Sequence, residues 1–137
     1  MIVFLWKMCN KCLPVRQKLH KRVQNISLIC PMCHNEEEKL EHLLLLCPFA
    51  RAVWFGSELS IRTDSFTIND IKDWIQEWLM KPDLTQPKAA WFYAQFVCTL
   101  WCLWIHRNEV IFKNQSPNPT RVILHQRVLL RGILNAI

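Results

Sequence analysis

Apolar positions recur at helical spacing through most of the chain, and the breaks between these stretches fall at prolines and short polar runs. Residues 2–13 read as a first helix with Val3, Trp6, Cys9 and Leu13 on its apolar face, and Pro14 ends or kinks it. Residues 15–23 read as a second, basic helix. Segment 26–29 is short, apolar and β-branched, and it runs straight into Cys30-Pro31-Met32-Cys33, so a brief extended stretch should enter a tight turn there. A helix over 36–46 should follow, its opening glutamates complementing the positive end of the dipole. Pro48 suits the first turn of another, through Ala52, Val53 and Trp54.

Residues 56–65 are polar and predict a loop. Asn69 or Thr67 can then cap a helix running to about Met80, with Ile71, Trp74, Ile75, Trp78 and Leu79 on one face. Pro82 closes that helix and Pro87 opens a long one reaching about Lys113. After a linker at 114–119, residues 120–134 again show helical spacing, with Arg121, Arg127 and Arg131 between the apolar positions. The expected fold is mainly α: a small helical module with one Cys-Pro-x-Cys knuckle turn, followed by a helical extension.

At 137 residues the chain has room for one compact domain, or one small domain with an extension. Chains of this size often need a staple beyond their core, and a metal ion supplies one. The net charge of +6 is unevenly spread. Lys7, Lys11, Arg16, Lys18, Lys21 and Arg22 precede the first acidic residue, Glu36, so the N-terminal third is a basic segment able to track a phosphate backbone or simply to face solvent. Seven cysteines, an odd number, and a first apolar run that Lys7 interrupts argue against a secretory leader and for a reducing, intracellular setting, the nucleus included. Residues 89–105 carry no charged side chain and approach the ~17-residue lower limit of a membrane span. Gln95, Thr99 and aromatics scattered along its length favour a buried core helix instead.

The chemistry concentrates in Cys30-x2-Cys33-x8-His42-x4-Cys47. Two thiolates on a tight turn can take adjacent corners of a tetrahedron, with an imidazole and a third thiolate closing the other two. Sulfur and imidazole donors select one structural zinc ion over hard cations, and four protein ligands leave no corner for substrate or activated water. Glu38, four residues before His42, is a candidate acceptor for the second imidazole proton. A rival set joins Cys9-x2-Cys12 to Cys30-x2-Cys33, although the first pair lies in a helical pattern with no knuckle-forming Pro or Gly. His34 stands too close to Cys33 in sequence to share its ion, and Cys98 and Cys102, one helical turn apart, read as packing residues.

Phe4-Leu5-Trp6-Lys7, Leu13-Pro14, Leu19, Arg22, Cys30-Pro31-Met32-Cys33, Glu37-Glu38, Glu41-His42-Leu43 and the run Cys47-Pro48-Phe49-Ala50-Arg51-Ala52-Val53-Trp54 together resemble the zinc-binding domain of plant LINE-type retrotransposon reverse transcriptases. The likeness covers residues 1–55. Residues 101–112, above all Trp104-Ile105-His106-Arg107-Asn108-Glu109, are similar to the helical connector that in those polyproteins leads toward a ribonuclease H domain, so residues 56–137 are expected to be a truncated connector. Two positions depart from the family pattern: His34 stands where glycine usually follows the second knuckle cysteine, and Cys12 replaces a residue that is more often basic.

The resemblance implies a non-catalytic module that follows the polymerase and helps hold template RNA or target DNA. No paired-aspartate polymerase motif is present, and two-metal phosphoryl chemistry needs an acid cluster that this sequence lacks. On this reading Lys11, Arg16, Lys18, Lys21 and Arg22 make sequence-independent phosphate contacts, with Arg51 adding to the patch. Trp6 either stacks on a base or packs in the core. The alternative is a structural piece whose aromatic helix, with Trp91, Phe92, Phe96, Trp101 and Trp104, packs against a polymerase or ribonuclease H domain.

Overall fold

The computed structural model describes residues 1–63, 70–80, 83, 85–86 and 88–136. The architecture is mainly helical, with no strand among the described residues. The described residues form six α-helices in chain order, α1 (Ile2–Cys9), α2 (Arg16–His20), α3 (Pro48–Gly56), α4 (Ile71–Leu79), α5 (Lys88–Phe112) and α6 (Pro119–Ala136), with a π-helical turn at His42–Leu46.

The first helix stops four residues short of the expected end. Lys11 adopts φ 55°, and the N–H groups of Lys11 and Cys12 turn back to the carbonyls of Met8 and Lys7 at 3.2 and 2.6 Å. This is a Schellman closure with lysine in the position glycine usually takes. The buried face also differs from expectation. Phe4 and Met8 point into the core, while Val3 and Trp6 are 65% and 61% exposed. Because Phe4 packs edge-on against Trp101 of α5, at 5.2 Å between ring centroids, Trp6 two positions on is turned to the other side of the helix.

The expected helix over 36–46 is the larger correction. Ile29 and Glu37 form an antiparallel bridge, with Cys30 N–H donating to Glu36 O at 2.7 Å and Glu38 N–H to Leu28 O at 2.9 Å. Residues 36–38 are therefore extended, and helical structure begins only beyond them. Tertiary pairing of the backbone outweighs the favourable charge–dipole pattern, which contributes only about 0.3–1 kcal/mol per group.

Further along, sequence and structure agree closely. Pro48 opens α3, the buried residues Ile71, Trp74 and Ile75 line α4 with Trp78 partly buried and Leu79 exposed, and the long α5 and the final α6 follow as expected. The N-cap of α4 is Asp70, whose carboxylate accepts from Lys72 N–H at 2.8 Å. The expected caps Asn69 and Thr67 lie outside the described residues, as do Pro82 and Pro87.

One apolar core runs from Phe4 in α1 to Val122 in α6. At its centre Trp54, fully buried, meets Trp74 and Phe96 at 5.6 and 5.4 Å, and its indole N–H donates to Leu44 O at 2.8 Å. Such aromatic pairs add about 0.5–1.5 kcal/mol each beyond area burial. A polar seam joins α5 to α6, where buried Gln126 donates to the side-chain oxygen of buried Gln95 at 2.6 Å. Residues 89–105 thus lie in a helix with neighbours on several sides. Among the described residues, no helix is long and apolar enough to cross a membrane.

Candidate metal centre

The knuckle is built before any ion is considered. His34 N–H closes the turn onto Cys30 O at 3.0 Å, and Met32 N–H points at Cys30 Sγ at 3.4 Å. His34 sits at φ 58°, in the left-handed region where a Cβ is crowded. That conformation accounts for glycine being usual after the second cysteine of the resembled domain; histidine is among the side chains that tolerate it better.

The other two donors come from either end of the π-helical turn. In an α-helix, residues five apart point roughly 140° away from one another around the axis. Here Cys47 N–H bonds to His42 O at 2.7 Å, an i to i+5 closure that widens the turn by one residue. The widening brings His42 and Cys47 onto the same side. Cys47 is also the N-cap of α3, so the turn, a donor and the helix start share one residue.

As a result, the ligating atoms of Cys30, Cys33, His42 and Cys47 all lie within 4.8 Å of one another. A zinc ion with ~2.3 Å bonds to sulfur and ~2.0 Å bonds to nitrogen holds neighbouring donors roughly 3.4–3.8 Å apart. Cys33 Sγ and His42 Nε2 already stand 3.4 Å apart. Cys30 and Cys47 are fully buried, His42 is nearly so, and Cys33 is half-buried. Three sulfurs and one imidazole, closed in by protein, form a group that could hold one zinc ion. Cys9 and Cys12 of the rival set stand outside this group.

The electrostatics suit a cation. A hydrogen bond from Cys47, aided by His42 and opposed by burial, holds the Cys30 thiol down at about 4. Cys47 is correspondingly pushed up by its bond to Cys30 and by burial. Burial alone would lower His42, yet its contacts with Cys30 and Cys33 raise it above its ordinary value. The cluster gathers negative charge and shares protons that a divalent ion can displace.

Glu38 does not serve His42. Its buried carboxylate accepts Arg107 Nη2 at 2.7 Å, Arg107 Nε at 3.0 Å and the Arg16 backbone N–H at 2.7 Å. Arg107 was not among the sequence candidates, though it is the first charge after a long uncharged helical run. A lone charge so placed signals a buried partner.

Of the candidate phosphate contacts, Lys11, Lys18 and Lys21 line one groove of about 240 Å³, together with Gln17, Leu40 and Glu41. Lys11 Nζ pairs with Asp70 at 3.2 Å, and Lys18 Nζ donates to Lys11 O at 2.8 Å. The half-buried Arg16 sends Nη1 toward Ser27 O at 3.5 Å, and Arg22 is exposed.

Residues 1–54 match the family model described as zinc-binding in reverse transcriptase, a segment that contains all four donors and ends on Trp54. The match supports a zinc-binding reverse-transcriptase domain over that segment. No curated protein and no solved structure matches the chain.

Proposed function

We propose that this chain is a non-catalytic, zinc-stabilised nucleic-acid-interaction module derived from a retrotransposon reverse transcriptase polyprotein of the LINE type, with residues 1–55 as the zinc-binding part and 56–137 as the helical connector. The observation that carries the reading is the closed Cys30, Cys33, His42, Cys47 cluster inside the segment that matches the family model. When bound, a zinc ion would cross-link the knuckle to the start of α3 and supply folding free energy there. Every ligand position is taken by protein, so the role is structural.

The basic residues in and around α2 supply the phosphate contacts, with Lys11, Lys18 and Lys21 converging on one groove and Arg16 and Arg22 in the same stretch of chain. Binding of this kind is insensitive to sequence and weakens as salt rises, because each neutralised phosphate releases counterions. The test is retention of the zinc-loaded chain on immobilised RNA and DNA across a salt series. Binding whose logarithm does not fall with log salt, or no binding, would falsify this function.

A structural role through the aromatic helix has less surface to work with. Phe96 and Trp104 of α5 are buried and Trp101 packs against Phe4 within the chain. Of the α5 aromatics only Trp91 near the start and Phe112 at the end are exposed, and Ile2, Val3 and Trp6 of α1 are exposed as well.

A further inference from the structure

The solvent face of α3 combines an aromatic ring with positive charge. Pro48, Arg51, Ala52 and Phe55 fall at i, i+3, i+4 and i+7, and all four are exposed. With Arg62 and Thr63 they line a groove of about 570 Å³, within the ~300–1,000 Å³ range of ligand clefts. Phe55 is 62% exposed. It has no place in the core, because the opposite face of α3, Ala50, Val53 and Trp54, is already fully committed there.

Among the described residues, Arg51 and Arg62 line this groove and no acidic residue does, whereas the lysine groove around α2 contains Glu41. Among the described residues, Arg51 makes no side-chain hydrogen bond or ion pair, so its guanidinium is available to an anion. The position of the groove is set by the metal cluster, since Cys47 is the N-cap of α3 and Pro48 follows it directly.

An exposed ring beside arginines on a fixed helix is the arrangement that accepts an unpaired base on its face and the adjoining phosphate on a guanidinium. We propose that this groove binds single-stranded nucleic acid, a base stacking on Phe55 and a phosphate engaging Arg51, and thereby adds single-strand preference to the sequence-independent contacts. The proposal rests on the nucleic-acid reading above and names its partner more narrowly. Stacking within a duplex covers the base faces from such a ring, so a duplex can use only Arg51.

The experiment is fluorescence anisotropy with the full zinc-loaded chain, a labelled oligothymidylate and a duplex of the same length, over a salt series. Phe55→Ala is expected to weaken single-strand binding about tenfold while leaving duplex binding unchanged, and Phe55→Trp to restore it. Arg51→Ala is expected to weaken both and to reduce the salt slope by about one. Phe55 lies on the surface, and zinc content with circular dichroism verifies that each variant is folded. If the wild-type chain binds neither probe, both readings fall. If it binds but the folded Phe55→Ala variant matches it on both probes, this proposal alone fails. Displacement of the oligonucleotide by an acidic, phenylalanine-containing peptide at equal affinity would assign the groove to a peptide and overturn it as well.

Discussion

Arg107 grips Glu38 with two nitrogens, Nη2 on one carboxylate oxygen at 2.7 Å and Nε on the other at 3.0 Å, across 69 positions of sequence. Both side chains are buried, at 3% and 0% exposure, and Arg107 also reaches Pro14 O at 3.3 Å. The contact ties the bridge beside the knuckle to the last third of α5. Loss of one partner strands the other charge away from water, so Arg107→Met or Glu38→Ala should each cost about 3–5 kcal/mol. The double replacement should cost clearly less than the sum, as urea denaturation and a double-mutant cycle would report. Arg107→Lys, which cannot make the two-pronged contact, should not rescue stability.

Zinc content should track the four clustered donors and no others. Cys33→Ala and His42→Ala are expected to abolish the one ion per chain measured by elemental analysis, and Cys9→Ala and Cys12→Ala to retain it. Chelation should release amide protection across residues 26–54 before the helices α4 to α6, since ion binding and local folding share one free energy. Uniform protection after complete removal of zinc would contradict the assignment.

The left-handed His34 gives a backbone test. Glycine removes the crowding at φ 58° but gains freedom in the unfolded chain, so His34→Gly should leave stability within about 1 kcal/mol. A β-branched residue has no such relief, and His34→Val should destabilise by about 1–2 kcal/mol. Thermal unfolding of the zinc-loaded variants separates the two.

His106 should make stability depend on pH. Its Nε2 accepts the Asn118 N–H at 3.1 Å while its ring stacks on Phe49, and burial holds its imidazole below the ordinary value. Because the folded value is depressed, the unfolded chain binds the proton more readily. The contribution is therefore fully present above the unfolded value of about 6.5 and is lost as pH falls through the folded one. Denaturation between pH 7 and pH 5 should show a drop that is smaller in His106→Gln, and an imidazole titrating at or above its ordinary value would refute the mechanism.

What could be read from the sequence was whatever depends on local spacing. The knuckle pair with its histidine and third cysteine, the proline opening α3, and the apolar faces of α4 to α6 are all set within a few residues of themselves. What escaped depends on distant partners. The helical spacing of Glu38 to His42 carries no sign of its counterion Arg107, and that of Trp6 to its apolar neighbours no sign that Phe4 takes the contact with Trp101. Lys11 hid the end of α1, because its reversal is made by backbone bonds to Met8 and Lys7 and has no side-chain signature.

The wide turn between His42 and Cys47 has a consequence for how this segment keeps its frame. Leu43, Leu44, Leu45 and Leu46 are chemically identical, and the first three are all buried, so a slip of one position would leave the hydrophobic bookkeeping almost unchanged. The imidazole at one end and the thiol at the other, with Glu41 just before them accepting the Ile71 N–H at 3.1 Å, distinguish the right alignment from its neighbours. Removing a single leucine should therefore spare the oiliness of the segment and yet swing one donor out of reach, so that a zinc ion held there would be the ruler that measures this stretch of chain.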